Sequence, residues 1–150
     1  MIVIFMCDQK PPQSVKRFRE KVKSLMSRGR GRNLKRFIKE DLNPVLRGWI
    51  NYFRVCETKG ILDELDSWIR RRLRNVLWRQ WKRPRTRRNK LMALGLPEAI
   101  ASKSAGNGRG AWWNSGSSHM NLTLRKKYFD KLGLVGLQAE KRFLDQITSQ

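Results

Sequence analysis

The segment from Ser67 to Lys90 combines dense positive charge with aromatic side chains. It contains eleven Lys or Arg residues, three Trp residues and no carboxylate, and the next carboxylate in the chain is Glu98. Guanidinium and ammonium groups bind phosphates, and bases or sugars stack on aromatic rings. We therefore interpret the segment as a phosphate-binding surface that carries an aromatic. The alternative is a solvated basic face whose arginine stems cover the tryptophans.

Apolar spacing predicts one long helix from Ile61 to Arg83, which ends before Pro84 because proline disfavours helical geometry in the residue before it. At roughly 100° per residue, six apolar residues form its core stripe: Leu62, Leu65, Ile69, Leu73, Val76 and Leu77. Almost opposite this stripe lie Arg71, Arg74, Trp78 and Lys82. The pattern places Trp78 among cations, where stacking on a base and packing against a neighbouring helix are both open.

The whole chain is strongly basic, yet it is apolar enough to pack a core. Among 150 residues, 34 Lys and Arg against 12 Asp and Glu give a net charge of +22, and 39% of the residues are hydrophobic. Such a charge indicates a polyphosphate partner, RNA or DNA. RNA suits a surface of arginines and aromatics slightly better than duplex DNA, but composition alone does not decide between them. No apolar run approaches the roughly 20 residues that cross a membrane, so we expect no membrane partner.

Residues that bind metals or perform catalysis are sparse. The two cysteines, Cys7 and Cys56, form no CxxC pair, and the one histidine, His119, shows no orienting partner in the sequence. We therefore expect no catalytic residue, no metal and no cofactor. Carboxylates near the start of the long helix are explained by the helix dipole. The cysteine usage favours a reduced, cytoplasmic protein over one with a disulfide.

Patterns along the chain predict an all-α fold of about five to seven helices, with a Gly-rich loop and frayed termini. Asn33 and Asn43 are candidate helix caps, and the last helix is expected to begin at Asn121 or Thr123. After Gly136 we expect a frayed tail.

The Gly-rich loop, "AGNGRGAWWNSGS", carries Arg109 beside Trp112 and Trp113. Glycines let a backbone approach a phosphate closely, which favours RNA contact. A tight turn that brings one of the two tryptophans into the core is an equally open interpretation.

Three segments together resemble the maturase-specific domain, also called domain X, of group II intron-encoded proteins. They are "LNPVLRGWINYFR" at 42–54, "LDELDSWIRRRLRNVLWRQWKRPRTRRNKLMALGL" at 62–96, and "NGRGAWW" with a later "MN" within 107–121. The resemblance covers about 14–137. It leaves 1–13 as an unrelated N-terminal remnant and 138–150 as a C-terminal tail.

The resemblance implies a helical thumb and maturase region that binds group II intron RNA and assists its folding and splicing, while the RNA performs the transesterifications. Motif matching carries RNA contact onto nine basic residues, and the helical-wheel argument adds a tryptophan: Arg47, Arg70, Arg71, Arg74, Lys82, Arg83, Arg85, Arg87, Arg109 and Trp78. A packing role is carried onto five apolar residues: Trp49, Phe53, Leu65, Ile69 and Leu73.

Full-length proteins of the family begin with a reverse transcriptase, and some end in an HNH endonuclease. This sequence holds neither a YADD-type motif nor the HNH cysteines and histidines, so we expect no enzyme activity of its own. Two alternatives stay open. The chain is the C-terminal part of a reverse transcriptase whose palm a separate chain supplies, with target DNA as a further partner within the ribonucleoprotein, or it is a decayed reading frame whose product folds poorly.

Overall fold

The computed structural model describes residues 11–28, 31–53 and 59–149. Within these ranges the chain forms helices and connecting turns without a strand, which confirms the all-α prediction. In chain order the helices are α1 (Pro11–Arg28), α2 (Leu34–Phe37), α3 (Asn43–Phe53), α4 (Lys59–Gln80), α5 (Pro84–Ala93), α6 (Glu98–Ala105), α7 (Ala111–Ser115), α8 (Ser118–Thr123), α9 (Lys126–Lys131) and α10 (Leu137–Thr148). A π-helical segment, Ile38–Leu42, joins α2 to α3.

The chain divides into two compact units. The first unit comprises Met1–Ile69 and Leu132–Gln150, and the second comprises Arg70–Lys131. The boundary therefore falls within α4. No helix in the described part of the chain is long and apolar enough to cross a membrane. The expected N-terminal remnant, 1–13, lies mostly outside the described residues, and its last three residues belong to α1.

The first unit has an aromatic core between α1 and α3. Phe18 is fully buried and meets Trp49 and Phe53 edge to face, with ring centroids 5.7 and 5.6 Å apart. Leu65 and Ile69 of α4 are buried in the same unit. These contacts confirm the packing roles expected for the residues of this unit.

The two asparagines expected to cap helices behave differently. Asn33 is a cap, since its side chain accepts a hydrogen bond of 3.1 Å from the Arg36 backbone N–H. Asn43 is not, because its backbone is helical and the chain runs through it without a break. Its buried side chain instead donates to the Gly133 carbonyl, at 2.8 Å, and accepts from the Val135 backbone N–H, at 3.0 Å.

The C-terminal segment forms α10, so the prediction of a frayed tail after Gly136 is wrong. Asp66 caps this helix: its carboxylate accepts hydrogen bonds from the backbone N–H groups of Leu137, at 2.7 Å, and Gln138, at 3.2 Å. Leu137 itself is fully buried. The cap comes from a residue 71 positions earlier, so the local sequence does not identify it.

The second unit buries α4 on more than one side. Six consecutive residues, 73–78, are buried, whereas an amphipathic helix on a single surface buries only one stripe. The helix ends at Gln80 rather than Arg83, and Lys82 already has a φ of +47°. The described residues also contain more helices than expected, because the Gly-rich segment holds α7, the expected tail forms α10, and α8 and α9 replace the last predicted helix. The prediction that this helix begins at Asn121 or Thr123 is wrong, since α8 begins at Ser118 and contains both residues.

Candidate nucleic-acid interface

Two adjacent tryptophans project from α7, the single-turn helix inside the Gly-rich segment. Trp112 is 39% exposed and Trp113 is 44% exposed. Gly110 is the N-cap residue of this helix, and its φ of +85° would be strained for any residue with a side chain. The interpretation of this segment as a turn that carries a tryptophan into the core is therefore wrong.

Arginines stack on both rings. The Arg71 guanidinium carbon lies 3.9 Å from the centroid of the Trp112 ring, and that of Arg72 lies 5.1 Å from it. Arg109 stacks on Trp113 in the same way, at 4.6 Å. Cation–π attraction at such distances favours these pairs. We call these five residues the tryptophan platform.

Backbone and small side chains hold Arg71 in place. Its terminal nitrogen donates to the Trp112 carbonyl at 3.0 Å, and its Nε donates to Ser115 Oγ at 3.3 Å. A Cβ at Gly116 would lie 2.8 Å from the guanidinium carbon. A glycine at this position is therefore what leaves room for the arginine.

A network of hydrogen bonds between polar side chains stabilises the segment that carries the platform tryptophans. The Asn114 side chain is fully buried and donates to the Gly110 carbonyl, at 2.7 Å, and to Asn107 Oδ1, at 3.1 Å. Asn114 Oδ1 accepts from Asn107 Nδ2, at 2.8 Å, and lies 2.9 Å from His119 Nε2. Because an amide oxygen only accepts, His119 is the donor in that contact. This network joins the loop before α7 to α7 itself and to α8.

His119 thus has orienting partners, contrary to the expectation from sequence. It is buried, and burial lowers the pKa of its imidazole below the ordinary value. Its ring centroid lies 5.5 Å from that of Trp78 and 6.4 Å from that of Trp113. At neutral pH the ring is an uncharged packing element between a buried and an exposed tryptophan.

Two of the predicted RNA-binding residues, Trp78 and Arg74, are buried, so their expected place on the solvent-facing surface of α4 is wrong. Trp78 is 1% exposed; Arg87 stacks on its ring at 4.5 Å. In this position Trp78 has no free face for a base. Arg74 is 7% exposed and its Nε donates to the Leu124 carbonyl at 2.9 Å. Desolvation, followed by the nearby charge of Arg70, lowers the pKa of Arg74 to about 10.

The other predicted residues keep access to solvent, and their contact with RNA stays a prediction. Five of them are exposed: Arg47, Lys82, Arg83, Arg85 and Arg109. Arg70, Arg71 and Arg87 are partly exposed. Arg87 also donates its Nε to the Trp78 carbonyl at 3.2 Å. Arg85 lines a cavity of about 450 Å³ together with Arg88 and Ser102.

Two carboxylates of the first unit, Glu40 and Asp41, form ion pairs with arginines. Glu40 pairs with Arg36 at 3.0 Å and with Arg32 at 3.1 Å, and Asp41 also pairs with Arg32. The hydrogen bond from Arg36, with the charges of both arginines, lowers the pKa of Glu40. Among the described residues, no three or more His, Cys, Asp or Glu side chains lie close enough together to hold a metal ion.

The sequence did not predict the tryptophan platform as a unit. It left RNA contact open for the loop that carries Arg109, Trp112 and Trp113, but Trp78 was the one tryptophan named as an RNA-binding residue, with stacking and packing both open for it. The signal that would have found the platform is the pair Trp112 and Trp113 directly after a Gly-rich run, where short backbone turns favour exposed side chains.

Fold and site together define a basic, all-α domain with an exposed surface of arginines and tryptophans. The family model of the group II intron maturase-specific domain matches residues 15–95. This match covers more than half of the chain, which therefore belongs to that family. It confirms the resemblance over these residues, while the platform tryptophans lie beyond the matched range. No curated protein sequence matches the chain significantly.

Proposed function

We propose that this maturase-specific domain binds group II intron RNA and assists its folding and splicing without performing chemistry itself. The observation that carries the proposal is the tryptophan platform, in which Trp112 and Trp113 stay exposed although exposed aromatics of this size cost free energy in water. Stacked arginines and buried amides hold both rings in place before any ligand arrives. Membership of the family supports intron RNA as the ligand.

The platform suits unpaired bases in a folded RNA. Duplex RNA hides its base faces, whereas loops and bulges present them for stacking on aromatic rings and guanidinium planes. Exposed Lys82, Arg83 and Arg85 supply positive charge in the same unit. No carboxylate occurs between Ser67 and Pro97 to neutralise that charge.

A filter-binding titration tests the proposal. Group II intron RNA is compared with an unrelated structured RNA of equal length, at about 50 and about 200 mM salt. If about six to ten phosphates are contacted, affinity falls roughly 10³- to 10⁵-fold between these conditions. A preference for the intron at the higher salt would support the proposal. Equal binding that salt abolishes would contradict recognition by this domain.

The double variant W112A/W113A tests the platform itself. Each stacked base contributes about 1–3 kcal/mol, so we expect a loss of affinity of about tenfold or more. The control is F143A, which removes an aromatic ring that is 55% exposed on α10 in the first unit. Equal affinities for the two variants would contradict a stacking role.

Contacts with target DNA, a separate reverse-transcriptase chain and a cytoplasmic location stay predictions. Primer extension by the purified domain alone would contradict the non-catalytic proposal. Extension that requires both this domain and a separate reverse-transcriptase chain would instead support the alternative in which another chain supplies the palm.

A further inference from the structure

A second basic site lies in the second unit and shares no residue with the tryptophan platform. It is a cleft of about 470 Å³, which is within the roughly 300–1,000 Å³ of small-molecule sites. Its walls come from the turn after α5, the end of α8 and the helix α9. The residues that matter for its chemistry are Leu94, Leu122, Arg125, Lys127, Tyr128 and Lys131.

The cleft concentrates positive charge. Arg125, Lys127 and Lys131 are exposed, and no lining residue is acidic. Arg125 donates its Nε to the Leu122 carbonyl at 3.0 Å, which holds the guanidinium at the cleft without neutralising it. Within the described part of the chain, neither lysine has an ion pair. Three uncompensated cations around one cavity favour an anionic group, and phosphate matches both guanidinium and ammonium donors.

Apolar and aromatic surface completes the cleft. Leu122 is 55% exposed and supplies apolar surface to the wall of the cleft. Tyr128 is half-buried and packs edge to face on Phe129, with ring centroids 5.3 Å apart. Burial raises the pKa of Tyr128, so its hydroxyl stays protonated at neutral pH and is able to donate a hydrogen bond.

We propose that this cleft binds one unpaired nucleotide of the RNA. Its phosphate lies on Arg125, Lys127 and Lys131, and its base or ribose covers Leu122 and Tyr128. The inference rests on the proposed function and adds a second contact site to it. An RNA duplex would engage the cations but leave Leu122 uncovered. An acidic peptide would satisfy the charges without using the aromatic wall, so a nucleotide accounts for more of the cleft.

Fluorescence anisotropy with a labelled single-stranded oligouridylate, and with the same strand in a duplex, tests the cleft. The variant is K127E/K131E. The control is K103E/K126E, which changes the net charge equally at two exposed lysines of the second unit that do not line the cleft. We expect the cleft variant to lose about tenfold more affinity for the single strand than the control loses. For the duplex the two variants should lose equally.

Equal losses for the single strand would overturn the inference. So would a polyglutamate peptide that binds the wild-type domain as tightly as the oligouridylate and loses affinity only in K127E/K131E. Melting curves by circular dichroism confirm that both variants fold. As a second readout, 4-thiouridine in the strand should cross-link to residues 122–131, and cross-links confined to other segments would contradict the assignment.

The failure of this inference is distinguishable from failure of the proposed function. If the wild-type domain binds no RNA, the proposed function fails. If the wild type binds, W112A/W113A loses affinity and K127E/K131E behaves like its control, then the platform stands and only the cleft is rejected.

Discussion

The two units contain the same number of cations and use them differently. Each has seventeen Lys and Arg residues, but the first unit has ten carboxylates and the second has two. In the first unit, Arg32 and Arg36 pair with Glu40 and Asp41. In the second unit, arginines stack on tryptophan rings and donate to backbone carbonyls, which leaves their charges uncompensated.

This difference shows that the count of basic residues does not locate a binding surface. What differs is the net charge, +7 for the first unit and +15 for the second. A positive potential that nearby carboxylates do not neutralise attracts polyphosphates and speeds their association. Exposed aromatics with stacked arginines occur in this same second unit, so charge and stacking surface coincide there.

The largest expected effect comes from reversing charge in one unit at a time. K82E/R83E/R85E in the second unit should lower RNA affinity by about 100-fold or more and reduce the slope of log K against log salt by about two to three. The matched variant K16E/K21E/K23E reverses three exposed lysines of the first unit. We expect a loss of less than about tenfold for it. Equal losses in filter binding would contradict the comparison.

Within the second unit, tryptophans divide into buried and exposed ones. Trp78→Ala should lower the free energy of unfolding by about 3–5 kcal/mol, because it leaves a cavity in a closed core. Trp113→Ala should change it by less than about 0.5 kcal/mol yet weaken RNA binding. Urea titrations followed by circular dichroism measure both. A similar destabilisation by the two substitutions would show that Trp113 is part of the core.

In the first unit, the carboxylate of Asp66 has a structural role, because it caps α10. Asp66→Ala removes both acceptors that cap α10 and should cost about 1–2 kcal/mol. Backbone amides of Leu137 and Gln138 should then exchange faster with deuterium. The control is Asp63→Ala, which changes an exposed carboxylate of α4, the helix that also contains Asp66. Unchanged exchange at Leu137 would show that α10 does not depend on this cap.

The smallest effect concerns pH and the second unit. Burial lowers the pKa of folded His119 from its ordinary value of 6.5. The unfolded chain therefore takes up a proton first as pH falls, so stability is complete above pH 6.5 and decreases as pH falls through the folded pKa. Urea titrations at several pH values should show this loss, and His119→Gln should reduce it. Stability that rises on acidification in this window would contradict the assignment.

Sequence patterns predicted the structure correctly where burial or capping depends on residues a few positions apart in the same helix. The apolar spacing of α4 predicted the burial of Leu62, Leu65 and Ile69, and Asn33 was recognisable as a cap. Sequence patterns failed where the hydrogen-bond partner of a side chain is distant in sequence. Asn43 and Asp66 bind backbone groups about 70 to 90 residues away, and no local pattern reports such pairs.

The sequence predicted the composition of the candidate site but not which tryptophans form it. A surface of arginines with an aromatic was expected, and the structure has one. The tryptophan named as an RNA-binding residue was Trp78, however, whereas the exposed tryptophans are Trp112 and Trp113. Helical periodicity assumes that one face of α4 packs and the other meets water, which does not hold where the helix is buried at six consecutive positions.

The sequence by itself determined the all-α class, the excess of positive charge and the family, because periodicity, composition and motifs are properties of the chain alone. The tertiary structure alone decided which tryptophans are covered and which arginines keep their charge exposed. The physical reason is that burial depends on how many elements surround a side chain. Trp78 has other helices around it. Trp112 and Trp113 lie on a single helical turn, where arginines stack on both rings and His119 also contacts Trp113.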